Sequence, residues 1–167
     1  MGCFTSKTEN SNLELKEQRD QKLLNITLDD THQFSFNGIT VNAKIVSVYD
    51  GDTFRAAFYY KDDIIQMSCR CLEYDAPEMK VSPKNPDREI LKKFAYEARD
   101  FFKSLLDSTT TGLVELRFSE NDLYGRPLTK VYVDGKYLNQ IMMDRGYGKP
   151  YLGGHKNVWT ASDCVKK

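Results

Sequence analysis

Read by its hydrophobic and polar positions, the chain changes character near residue 37. Before that point NSNLELKEQRDQKLLN carries many charges and few aromatics. Only Leu13 to Leu24 has the spacing of a short helix, so residues 1–37 read as a flexible arm. After it, apolar and polar residues alternate. FSFNGITV sets an Asn-Gly pair between apolar positions, a hairpin signal. VNAKIVSVY (41–49), TFRAAFYY (53–60) and IIQMSCRCLEY (64–74) are rich in β-branched and aromatic residues and predict three strands. The tight turn Asp50-Gly51-Asp52 joins the first two. The spacing then becomes helical. NPD (85–87) supplies an Asn cap, a Pro in the first position and an acidic first turn. Leu91, Phe94, Ala95, Ala98, Phe102 and Leu105 follow at steps of three and four, which is one apolar face. Beyond Gly112, LVELRFS (113–119) and PLTKVYV (127–133) predict strands four and five, and YLNQIMMDRG (137–146) predicts a short helix ended by Gly146.

Three strands, a helix, two strands and a short helix place the chain in the α+β class. The order matches a five-stranded OB-type Greek-key barrel over residues 38–160, followed by a polar tail, 161–167. Periodicity alone leaves an α+β sandwich open. The formal net charge is zero, so a polyanion has to be held by a local patch rather than by a broadly basic surface. With no apolar run of 18 residues, no membrane-spanning helix is expected. No apolar segment of the secretory type opens the chain either. The cysteines form no CxxC, and His32 and His155 are not spaced to complete a zinc site. Cys69 and Cys71 flank Arg70 on a predicted strand and read as buried core thiols.

The candidate chemistry gathers where strands two and three meet. Asp52 follows the glycine turn at the start of one, and Asp75 and Glu78 follow the end of the other. Hairpin neighbours bring those positions together, and two hard carboxylates with backbone carbonyls make an oxygen site suited to Ca²⁺; three solvated acids are the alternative. Arg70 sits mid-strand between apolar positions, where a charge is unwelcome without a partner. Arg126, in DLYGRPL, begins strand five. Two fork-shaped donors beside a cation describe a phosphate clamp, with Glu78 free to position or deprotonate a water. Alternatively, Arg70 pairs with Asp75 or Glu73 as a structural ion pair.

YDGDTF, RCLEYDAPE, FAYEARDFF, LYGRPL and VDGKYLNQIMMDRGYGKPY, in this order over residues 40–152, resemble the staphylococcal-nuclease-like (thermonuclease) domains. The resemblance implies the OB barrel and a Ca²⁺-dependent phosphodiesterase acting on DNA and RNA, with single strands preferred and 3′-phosphate products. It implies that Asp52, Asp75 and the backbone carbonyl of Ala76 hold the metal, that Arg70 and Arg126 bind phosphate, and that Glu78 orients the water. All five side chains are present, whereas relatives that became binding modules usually lose some. Ala76 stands where the family often has Thr, Leu123 where a Lys commonly precedes the tyrosine, and Leu152 and Gly154 where paired tyrosines stand. Tyr124 matches a substrate-stacking position, with Tyr151 near the missing pair. The family's long C-terminal helix has no counterpart in GGHKNVWTASDCVKK, where Trp159 reads as a core anchor.

MGCFTSK fits the myristoylation pattern through Gly2 and Ser6, and Cys3 is placed for a second, reversible acyl chain. Two chains hold a protein stably on a membrane where one does not. The expectation is a monomeric, calcium-dependent nuclease on the cytoplasmic face of a membrane in a eukaryotic or eukaryotic-virus setting, and otherwise cytosolic. The competing expectations are a non-catalytic OB module for single-stranded nucleic acid or a protein partner, and a lipid-anchored adaptor with a vestigial nuclease fold.

Overall fold

A computed structural model describes residues 5–156 and 158–165. It divides between Phe34 and Ser35 into two compact units. In the first, helix α1 (Thr5–Leu24) is followed by a single 3-10 turn, Leu28–Asp30, whose Asp30 carboxylate accepts hydrogen bonds from the Thr27 N–H and hydroxyl. The helix is longer than the expected Leu13 to Leu24, because no glycine or proline interrupts the segment. Leu13, Leu15, Leu23 and Leu24 are all exposed and are spread around α1 rather than aligned on one face. No helix among the described residues is long and apolar enough to cross a membrane.

The second unit is a closed five-stranded barrel. Its strands are β1 (Thr40–Val48), β2 (Thr53–Tyr60), β3 (Asp63–Cys71), β5 (Val114–Asn121) and β6 (Pro127–Val133), in the order β3-β2-β1-β5-β6. A parallel pairing of Arg70 with Leu128 and Cys71 with Thr129 closes the ring, which removes the sheet edges. The shorter elements are β4 (Tyr74–Asp75), β7 (Lys136–Tyr137), helix α3 (Leu138–Asp144) and β8 (Lys149–Pro150), with β4 pairing β8. Alternate residues of each strand fill the interior, among them Phe54, Ala56 and Phe58 on β2 and Val114, Leu116 and Phe118 on β5.

Helix α2 (Arg88–Asp107) packs Leu91, Phe94, Ala95, Ala98, Phe102 and Leu106 into the core, with Leu105 only partly buried. It starts later than the NPD signal suggests. Asn85 caps the preceding turn instead, accepting the Asp87 N–H at 2.8 Å. The Asn37-Gly38 pair likewise forms a turn into β1 rather than a hairpin, with Gly38 at φ +80°. That turn seats Phe36 in the barrel beside Phe58, Tyr60 and Phe118, at centroid distances of 5.1–5.6 Å. Cys69 and Cys71 are buried free thiols, and burial pushes Cys69 up to about 12. The last element among the described residues is a 3-10 turn, Ala161–Cys164. Trp159 folds back against Phe94, 5.7 Å between centroids.

Asn139 locks α3 onto the barrel. Its Oδ1 accepts the Val131 N–H at 3.0 Å, and its Nδ2 donates to the Leu72 and Thr129 carbonyls at 2.8 and 3.1 Å. Unpartnered buried groups are costly, so Asn139→Ala is expected to lower stability by about 3 kcal/mol in urea unfolding. A loss under about 1 kcal/mol would show that these groups find other partners.

Candidate active site

The turn between β1 and β2 is built by its own side chains. Asp50 Oδ1 accepts the N–H of Asp52 at 3.1 Å and of Thr53 at 2.7 Å, an Asx turn. The Tyr74 hydroxyl, fully buried, donates to the Gly51 carbonyl at 2.6 Å. A Cβ on Gly51 would stand 2.8 Å from the Ala76 Cβ and 3.3 Å from that of Ala98, so only glycine lets the turn pack this closely. Asp52 is thereby set at the mouth of the barrel. Its Oδ1 accepts from the Thr53 hydroxyl at 2.8 Å and its Oδ2 from the Ala76 N–H at 2.9 Å. The contact seen for Ala76 is thus made by its amide.

Arg70 is paired with Thr53 across the β2–β3 ladder and with Leu128 across the closing pair. The predicted third strand breaks at Leu72-Glu73. Glu73 takes a left-handed φ of 75°, held by the Tyr137 hydroxyl at 2.6 Å and Lys130 at 2.8 Å. The chain then returns as β4 and sets Asp75 beside Arg70. One guanidinium nitrogen, Nη2, serves both acids: it lies 2.6 Å from Asp75 Oδ1 and 3.2 Å from Asp52 Oδ2. Arg70 therefore pairs with Asp75 and Asp52, while Glu73 faces Lys130 and Tyr137. Burial opposes the charge on Arg70, but Asp52, Asp75 and Asp50 outweigh it and hold the guanidinium protonated. Asp52 has the longer contact. Burial and the neighbouring Asp50 charge raise its pKa to about 7, against the lowering by Arg70, the Ala76 N–H and Thr53.

Arg70 also joins this acidic cluster to a cleft of about 230 Å³, lined in addition by Tyr124, Arg126, Leu128, Tyr151 and Leu152. The Arg70 guanidinium lies 5.6 Å from the Tyr151 ring centroid, and that of Arg126 lies 5.4 Å from Tyr124. The Tyr124 ring is largely solvent-exposed. Asp122 orients Arg126, accepting from its Nε at 2.8 Å, with Nη2 at 2.6 Å. Asp52, Asp75 and Glu78 are not among the residues lining this cleft. Glu78 is exposed and bonded to Lys156, whose Nζ also lies 2.9 Å from Asp75 Oδ1. Asp50, Tyr74, Asp122 and Lys156 were not anticipated from the sequence. Asp122 had a signal, an Asp opening the turn that ends at Gly125 in DLYGRPL; Lys156 had none. Among the described residues no three His, Cys, Asp or Glu side chains converge as a ready metal site. Gly2 and Cys3 lie outside the described residues.

The Asp52 environment has a measurable consequence. Its folded pKa, about 7, lies above the ordinary 3.8, so between these values the folded protein keeps a proton that the unfolded chain releases. That contribution is full below about pH 4 and is lost as the pH rises through about 7. In chelator, the Tm of the wild type is expected to fall relative to that of Asp52→Asn over this window. Parallel Tm curves for the two proteins would refute the assignment.

A family model described as staphylococcal nuclease homologue matches residues 68–163. An uncharacterized protein of Bacillus anthracis is 31% identical over 124 residues, 74% of this chain and 54% of that protein. Endonuclease YncB of Bacillus subtilis is 30% identical over 112 residues, 65% of this chain and 47% of that protein. Endonuclease YhcR of the same organism is 30% identical over 107 residues, 63% of this chain and 8% of that protein. The chain spans about half the length of the first two of these relatives and a small part of YhcR. With the closed barrel, the strand order and the matched residues in agreement, this chain belongs to the staphylococcal nuclease homologue family.

Proposed function

We propose that this chain is a calcium-dependent nuclease that hydrolyses phosphodiester bonds of DNA and RNA, single strands preferred, leaving 3′-phosphate and 5′-hydroxyl ends. The observation that carries the reading is Arg70, a buried guanidinium that binds two buried carboxylates on one side and lines a cleft with a second arginine and two tyrosines on the other. Family membership and the endonuclease names of two relatives support it. The donor set fits a hard cation: Asp52 and Asp75 converge on a single nitrogen, and Asp52 is short of positive charge. Asp52, Asp75 and the Ala76 carbonyl would hold Ca²⁺, which when bound supplies positive charge to a phosphoryl oxygen.

The remaining chemistry belongs to the chain. Arg126, held by Asp122, and Arg70 bind the phosphate and meet the charge that grows as water adds to phosphorus. Glu78 takes the proton of that water, the bond from phosphorus to the 5′ oxygen breaks, and that oxygen takes a proton from solvent and leaves as the 5′-hydroxyl. Tyr124 and Tyr151 offer ring faces to bases, a contact that tolerates any sequence and needs unpaired bases. Acylation at Gly2 and Cys3 would tether the enzyme to a cytoplasmic membrane face.

Hydrolysis is expected to need Ca²⁺, to be weaker with Mg²⁺, which demands a stricter octahedron, and to stop in chelator. Arg126→Ala should slow turnover about 100-fold, roughly 3 kcal/mol, and Glu78→Gln by a similar factor, with folding retained in both. Arg70→Ala is the less clean probe, since it takes the buried cation from Asp52 and leaves Asp75 with Lys156 alone, and should also cost about 3–5 kcal/mol of stability. Turnover unchanged in Arg126→Ala would make that arginine structural, and 5′-phosphate products would contradict the assignment. In cell fractionation, wild type should sit on membranes, Cys3→Ser should be partly released, and Gly2→Ala should be soluble; Gly2→Ala on membranes would reject acylation as the tether.

A further inference from the structure

The loop between β8 and Trp159 is anchored at both ends. At its start the Tyr151 N–H donates to the Glu73 carbonyl at 2.8 Å, and the Tyr151 hydroxyl donates to the Gly154 carbonyl at 3.1 Å. At its end Lys149 Nζ donates to the Val158 carbonyl at 3.0 Å, and Trp159 is buried against Phe94. Between these anchors Gly153 and Gly154 adopt φ of +100° and +88°, which side-chain-bearing residues avoid. The Lys156 ammonium lies at the acids: it is 2.9 Å from Asp75 Oδ1 and donates to Glu78 Oε1.

Two cations therefore share Asp75 Oδ1, and they are not equivalent. The Arg70 side chain is 8% exposed and locked into the barrel wall. The Lys156 side chain is 42% exposed, so its ammonium can withdraw into water without crossing the core. A compact, strongly hydrated ammonium bonded to two carboxylates uses the same hard oxygens that a divalent cation requires.

We propose that Lys156 is a built-in competitor for the cation, neutralising Asp75 and Glu78 in the metal-free protein and leaving them when a divalent ion is taken up. It thereby sets the cation affinity of the site and keeps the Glu78 carboxylate paired until the ion arrives. The inference rests on the reading of Asp52 and Asp75 as cation ligands.

The test is calorimetric titration of the full chain with CaCl₂, without nucleic acid, for wild type, Lys156→Gln and Lys156→Arg, with Tm recorded in chelator and in Ca²⁺. Lys156→Gln should bind Ca²⁺ about tenfold tighter, because the site keeps its ligand charge and loses its competitor. In chelator it should unfold at a lower temperature than wild type, and Ca²⁺ should raise its Tm by more. Lys156→Arg, which keeps the positive charge, should stay near wild type on both measures. Equal or weaker Ca²⁺ binding by Lys156→Gln overturns the proposal while leaving the cation site standing. No binding heat and no Tm change with Ca²⁺ in any of the three proteins overturns the cation site itself, and the proposal with it.

Discussion

The contact between Arg70 and Asp75, 2.6 Å long and almost wholly out of water, is the interaction on which this end of the barrel is organised. A buried charge without its partner costs several kcal/mol, so both residues have to be delivered to the same place by the fold. Arg70 sits where β3 bonds to β2 on one side and β6 on the other, at the seam that closes the ring. Asp75 reaches it only because Glu73 takes a left-handed conformation and sends the chain back. The strand pairings that close the barrel therefore also fix the position of Arg70 among the acids.

That arrangement leaves an imbalance of charge. Asp50, Asp52 and Asp75 are all buried at one end of the barrel, with Arg70 as the buried cation among them. Asp52, at the longer distance from the guanidinium, carries the deficit, which is why burial and Asp50 can hold its proton to about pH 7. A buried cluster of carboxylates short of positive charge is the physical basis for proposing a cation there. The cleft side is different in kind. Arg126 is oriented by Asp122, and both cleft arginines lie near tyrosine rings, so cationic and aromatic faces are laid side by side.

The segment after β8 is tied to the barrel by one aromatic residue. Trp159 fills the place against Phe94, with the Lys149 ammonium 4.7 Å over its ring and bonded to Asp163 at 2.8 Å. The loop before this anchor turns through Gly153 and Gly154 at positive φ and brings Lys156 back to the acids.

Much of this was legible along the chain. Period-two alternation marked the five barrel strands, period-three-and-four spacing marked α2, and the Asp-Gly-Asp turn marked where an acid would stand, because these signals arise between residues close in sequence. Asp52, Asp75 and Arg70 could be grouped because a hairpin relates the ends of its strands by simple geometry. The tertiary structure decided the rest. The start of α2 moved because Asn85 found a turn to cap, and the Asn-Gly pair became a turn because Phe36 had a core to enter. It also decided that Asn139 bonds Leu72, 67 residues away, and that Lys156 reaches Glu78, 78 residues away. Such contacts leave no local pattern: they exist only once the ring closes and the loops are tied down, since burial and strand pairing, not neighbouring residues, choose the partner.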